Sequence, residues 1–181
     1  MSVDGTRDDG IRVLHVDDDP EFADVASALL ERADDRFEVE TATSAEAGLA
    51  ALEEGRFDCV VSDYDMPGRT GLDLLRAVRE RRERLPFVLF TGKGSEEVGS
   101  EAISAGVTDY IQKGGGADQY ALLATRVANA VEAFQARREA DRHRTILQNM
   151  GEGVYVFDAD HVLRFVDYRV DGVEEIAEGE W

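Results

Sequence analysis

The chain has 181 residues, 43% of them apolar and only three of them proline, which suits one ordinary domain with an extension and argues against wholesale disorder. Thirty-nine acidic against twenty basic side chains leave a formal charge of -19, which opposes nonspecific attraction to nucleic acid or to an anionic membrane. A single cysteine, Cys59, excludes an intrachain disulfide scaffold, and no run approaches the roughly 18 apolar residues of a membrane span.

Residues 1–10 read as a loose polar tail without the apolar stretch of a signal peptide, so a cytoplasmic protein is expected. From Ile11 onward, short apolar runs alternate with amphipathic stretches, the rhythm of a parallel sheet covered by helices. Strands are predicted at 12–16, 37–41, 59–62, 87–90 and 108–111, the second polar enough for a sheet edge. Between them, Phe22, Val25, Ala26, Leu29 and Leu30 predict the inner face of a first helix, with Pro20 tolerated in its first turn. Ser44 is a cap for a second helix, with Ala47, Ala50 and Ala51 on its inner side and Leu49 and Leu52 beside them. Leu72, Leu75 and Val78 mark a third helix. Val98, Ala102, Ile103 and Ala105 mark a fourth, closed by Gly106. A fifth stripe runs through Tyr120, Leu123, Val127, Ala130, Val131 and Phe134. These five βα units give an α/β fold, a doubly wound five-stranded parallel sheet over 11–137. Residues 138–148 continue as a charged helical connector. After Gly151 and Gly153, the runs 154–157 and 162–166 around a turn at 158–160 read as a β-hairpin.

The chemistry gathers at strand ends. The first strand runs into Asp17-Asp18-Asp19, and the third into Asp63, Tyr64 and Asp65. Carboxylates repel at close range and are costly to desolvate, so such a cluster either faces water or receives a cation. Open α/β sheets bind ligands at that end, which favours the cation. Hard Mg²⁺ takes oxygen ligands: Asp18 and Asp63 directly, Asp17 through water, and the Asp65 carbonyl. The bland alternative is a set of solvated turn acids in a very acidic protein. Thr91 and Lys113 end the fourth and fifth strands on the same side, where a hydroxyl and an ammonium can hold phosphoryl oxygens. Asp63, ending the expected central strand, is then the nucleophile of an acyl phosphate. His15 reads as a packed neutral side chain rather than a ligand.

The segments VLHVDDDPEF (13–22), VVSDYDMPGRTG (60–71), VLFTG (88–92) and DYIQKG (109–114) together resemble the receiver domain of two-component response regulators, with its flavodoxin-like fold. The resemblance implies that Asp17 and Asp18 are the acidic pair, Asp63 the phosphorylated aspartate, and Thr91 and Lys113 the partner hydroxyl and lysine. Tyr110 takes the place of the aromatic switch residue that moves with Thr91. It further implies Mg²⁺ as cofactor and a histidine kinase or phosphotransfer protein as partner. Self-phosphorylation from a phosphodonor and autodephosphorylation come with it, without a kinase catalytic segment. A homodimer or another partner would form on the face of the fourth helix, fifth strand and fifth helix. One departure stands out: the family lysine is commonly followed by proline, whereas Gly114 follows Lys113, so a more mobile loop and a less firmly placed lysine are expected.

Residues 145–158, TILQNMGEGVYVFD, resemble the start of a PAS domain, extended through Phe165 and 172–176, so 149–181 reads as a partial PAS-like segment. No basic recognition helix follows the receiver-like region, so direct nucleic-acid binding is not expected, nor is membrane insertion. Two other readings share the residues: an interaction domain that works without phosphorylation, and a small Mg²⁺-dependent phosphatase acting on free substrates.

Overall fold

In the computed structural model, which describes residues 10–92, 96–114, 116, 118–149, 154–157 and 163–167, β-strands and α-helices alternate five times. Side chains are described within 10–92, 98–114, 116 and 118–142. The tail at 1–9, the hairpin turn at 158–160 and the 172–176 segment lie outside the described residues. The order is β1 (Ile11–Val16), α1 (Pro20–Ala33), β2 (Phe37–Ala42), α2 (Ala45–Glu54), β3 (Cys59–Ser62), α3 (Gly71–Arg81), β4 (Phe87–Thr91), α4 (Glu96–Ser104), β5 (Asp109–Gln112) and α5 (Asp118–Asn149). The strands form one parallel sheet in the order β2-β1-β3-β4-β5. The chain therefore reverses direction across the sheet between β1 and β3, and the crevice above that point lies at the carboxyl ends of both strands. Polar β2 is indeed an edge.

Strand alternation divides the interior in two. Ile11, Val13, Cys59, Val61, Val88, Phe90 and Ile111 face α1 and α5, packing on Ala26, Leu30, Leu123, Val127 and Val131. Leu14, Val16, Val60, Phe87 and Leu89 face the other way, onto Ala45, Leu52, Leu72, Leu75, Val78 and Ala102 of α2, α3 and α4. A sheet covered on both faces explains why β3 and β4 are apolar throughout rather than alternating.

The inner faces of three helices match expectation in part: Phe22, Ala26, Leu29, Leu30, Leu49, Ala51, Leu52, Ala102 and Ala105 lie in or against the core, but others differ. In α1, Ala23, Ala26 and Leu30 are buried, while Val25 is 53% exposed. In α2, Ala45, Gly48 and Leu52 point inward, and Ala47 and Ala50 are exposed. The cause is close approach: a Cβ on Gly48 would stand 3.0 Å from Val16 Cγ2, so the helix lies on the sheet through its smallest residues. In α4, Ala102 is buried and Ile103 is 73% exposed. Gly106, just beyond α4, has φ 83°, the left-handed conformation that glycine adopts without strain.

The chain divides into two compact units, Met1–Gln135 and Ala136–Trp181. Helix α5 runs unbroken from Asp118 to Asn149. The second unit contains an antiparallel pair, β6 (Val154–Phe157) and β7 (Leu163–Asp167), with an irregularity at Val156/Phe157. No helix among the described residues is long and apolar enough to cross a membrane.

Candidate functional site

Three backbone hydrogen bonds set the floor of the site. Asp17 N–H donates to Ala42 O at 3.0 Å, Asp63 N–H to Val16 O at 2.8 Å, and Lys113 N–H to Thr91 O at 2.7 Å. Each continues a sheet ladder by one residue, so Asp17, Asp63 and Lys113 emerge side by side from β1, β3 and β5, with Thr91 ending β4. Asp17 and Asp63 are 2% and 7% exposed, and Thr91 is fully buried.

Lys113 joins the acids. Its Nζ stands 2.7 Å from Asp17 Oδ2 and 3.0 Å from Asp63 Oδ1. The remaining oxygens are also held: Asp17 Oδ1 accepts from Asp19 N–H at 3.0 Å, and Asp63 Oδ2 from Asp65 N–H at 2.9 Å. Burial alone would depress the lysine's pKa, but the hydrogen bonds to Asp17 and Asp63 outweigh it and raise the pKa above its ordinary value. The ammonium thus stays charged between two desolvated carboxylates.

The other predicted residues sit around this centre. Asp18 is exposed, one residue beyond Asp17. Asp65 is exposed, and its amide orients Asp63. Tyr110 is half-buried against the α2–α4 core, and by strand alternation Thr91 and Tyr110 lie on the same sheet face. Burial raises the Tyr110 pKa, with nearby Tyr64 adding to the effect.

Several residues serve the site without having been singled out. Asp19 caps α1, its Oδ1 accepting from Glu21 N–H at 3.0 Å and Phe22 N–H at 3.1 Å; an aspartate directly before Pro20 is the signal that could have found it. Gly71 opens α3 against Asp63: a Cβ there would fall 2.1 Å from Asp63 O. Thr70 caps the same helix in a reciprocal box with Asp73.

Among the described residues no three His, Cys, Asp or Glu side chains gather closely enough to form a ready metal cage. The donor set nevertheless suits Mg²⁺ in its chemistry, because its ligands would all be oxygens, from two buried carboxylates and an exposed third next to Asp17 in the chain.

The receiver-domain model of response regulators matches residues 13–125, more than half of the chain and all five strands but the first two residues of β1. The chain belongs to the response regulator receiver domain family. This receiver domain is 46% identical over 67 residues to the chemotaxis protein CheY of Pseudomonas aeruginosa, covering 36% of the chain and 54% of CheY. It is 36% identical over 98 residues to the transcriptional regulatory protein FixJ of Bradyrhizobium diazoefficiens, covering 54% of the chain and 47% of FixJ. The chain spans about half the length of these curated relatives. A CheY-like receiver domain structure from Methanospirillum hungatei superposes with a TM-score of 0.64 at 27% identity, covering 71% of the chain and 98% of that structure. The first unit is thus a CheY-like phosphoacceptor module of two-component signalling.

Proposed function

We propose that Asp63 accepts a phosphoryl group from the phosphohistidine of a histidine kinase or phosphotransfer protein. The observation that carries this is Lys113: one ammonium within hydrogen-bond distance of both Asp17 and Asp63, at the carboxyl end of a parallel sheet. In the transfer, an Asp63 carboxylate oxygen attacks phosphorus in line with the donor. The new O–P bond forms as the P–N bond breaks, and its electron pair stays on the imidazole nitrogen. Asp65 N–H fixes one Asp63 oxygen, so the carboxylate cannot swing away from the donor. Lys113 meets a phosphoryl oxygen with an N–H, and Thr91 offers its hydroxyl from the end of β4. Asp17, Asp18, Asp63 and the Asp65 carbonyl are the groups that would hold Mg²⁺, whose charge neutralises phosphoryl oxygens when it is bound.

Thr91 and Tyr110 are the switch. Their shared sheet face leads to α4, so a phosphate that draws Thr91 inward changes the face made by α4, β5 and α5. That face receives a partner or a second copy of the chain. On sequence resemblance, 11–137 is the receiver, 138–148 the connector and 149–181 a partial PAS-like segment, in a cytoplasmic protein.

Incubation with acetyl phosphate and Mg²⁺ is expected to add one phosphate per chain by intact mass, and none to Asp63→Asn or in EDTA. Labelling that persists in Asp63→Asn rejects this reading. Sedimentation velocity before and after labelling then separates self-association from partner binding.

A further inference from the structure

The Lys113 ammonium has a neighbour besides its two carboxylates. Its Nζ lies 4.1 Å from the centroid of the Phe22 ring and 5.7 Å from that of Phe90. Both distances fall within the range in which an aromatic face attracts a cation. Phe22 is itself held. The Asp19 cap and Pro20 fix the first turn of α1, and the Phe22 ring packs at 6.3 Å from Phe90 and 6.2 Å from Tyr120. Phe90 and Tyr120 close the set edge-to-face at 6.0 Å.

The backbone around Lys113 is anchored by Lys113 N–H on Thr91 O and by Gly114 N–H on Gln119 Oε1 at 2.8 Å. Those bonds fix where the lysine starts, not where its head ends. A long flexible stem loses much rotamer freedom when its head is pinned, so the head needs several favourable contacts in one place. A third carboxylate would add negative charge to a site that already carries Asp17 and Asp63. An aromatic face attracts the ammonium without that charge and without an oxygen competing for its N–H donors.

We propose that Phe22 is a positioning residue for phosphoryl transfer, its ring seating the Lys113 ammonium between Asp17 and Asp63 where the following glycine cannot constrain the lysine. The inference rests on the phosphoacceptor reading of Asp63. Phe22 does not touch the reacting atoms; it acts through Lys113.

Two measurements on the full chain test it. The first needs no activity: proton chemical shifts of the Lys113 ε-methylene in the wild type, Phe22→Leu and Phe22→Tyr. Ring current is expected to move this signal upfield in the wild type and in Phe22→Tyr, and Phe22→Leu to return it to the ordinary lysine position. The second is the rate of Asp63 labelling by acetyl phosphate with Mg²⁺, with thermal midpoints recorded alongside. Phe22→Leu is expected to slow labelling about five-fold, and Phe22→Tyr to stay within about two-fold of the wild type. An unshifted wild-type signal, labelling of Phe22→Leu at the wild-type rate, or Phe22→Tyr as slow as Phe22→Leu overturns the proposal. A wild-type chain that takes up no phosphate rejects the phosphoacceptor reading and the kinetic consequence together, while the chemical shifts still decide whether Phe22 seats the lysine.

Discussion

His15 lies fully buried in β1, and its ring nitrogens find no hydrogen bond of good geometry among the described residues, only a weak approach to the Ala23 backbone. Burial pushes its pKa down from 6.5 to about 4, against the pull of Asp17 and with the repulsion of Lys113. The unfolded chain therefore takes up this proton near 6.5, while the native chain resists it to about 4. Stability from this group is full above the upper value and is lost as pH falls through that window, by up to about 3 kcal/mol. Denaturant unfolding in EDTA should show that loss in the wild type. In His15→Leu the slope between these pH values should flatten, and an unchanged slope would assign it to the carboxylates. Asp17, Asp63, Thr91 and Lys113 were legible in the sequence because each follows or ends a strand-like run, and parallel strands bring such positions to one edge. Phe22 was legible only as core: which way its ring turns depends on its packing against Phe90 of β4 and Tyr120 of α5, and no local pattern encodes that. The glycine after Lys113 suggested a loose lysine, whereas two carboxylates and two rings surround its head.

Helix α3 shows how an element shapes chemistry it does not touch. Its first residue approaches the Asp63 carbonyl so closely that only a missing side chain fits. Gly71→Ala should cost about 2–3 kcal/mol in denaturant unfolding, because the helix or the Asp63 loop must retreat. Acetyl phosphate labelling of the variant should slow as well, as Asp63 loses register with Lys113. Normal stability with a normal rate would mean that the two elements separate at little cost. Further along α3, half-buried Arg79 donates to Gly106 O at 3.0 and 2.8 Å and to Leu85 O at 2.8 Å, tying the helix to the loops on either side of β4 and α4. Strand positions were readable to within about a residue, because fully covered strands stand out against polar helices. The inner faces of α1, α2 and α4 were readable only in part: Ala26, Leu30, Leu52 and Ala102 are buried as expected, but alanines spread around a helix define no single apolar stripe. Contact with the sheet chose Ala23, Gly48 and Ala102 by size, and that choice belongs to tertiary packing.

At the scale of the whole molecule, charge and topology dominate. A formal charge of -19 makes the folded chain repel itself, and monovalent salt screens that repulsion. Raising NaCl from low to near-molar concentration should lift the thermal midpoint by about 3 °C, equivalent to about 1 kcal/mol for a chain this size. A midpoint that falls would show that the surface ion pairs, such as Arg76 with Glu101 and Arg36 with Glu132, outweigh the excess of acid. The sheet order brings Asp17 and Lys113 into contact across 96 positions of sequence, with Asp63 supplied from between them. A fragment that lacks β1, β3 or β5 loses one of the three groups, so it cannot store the message. On the proposed reading, uptake of phosphate is for that reason a built-in proof of assembly: a copy in which one of these strands is missing or melted out stays silent.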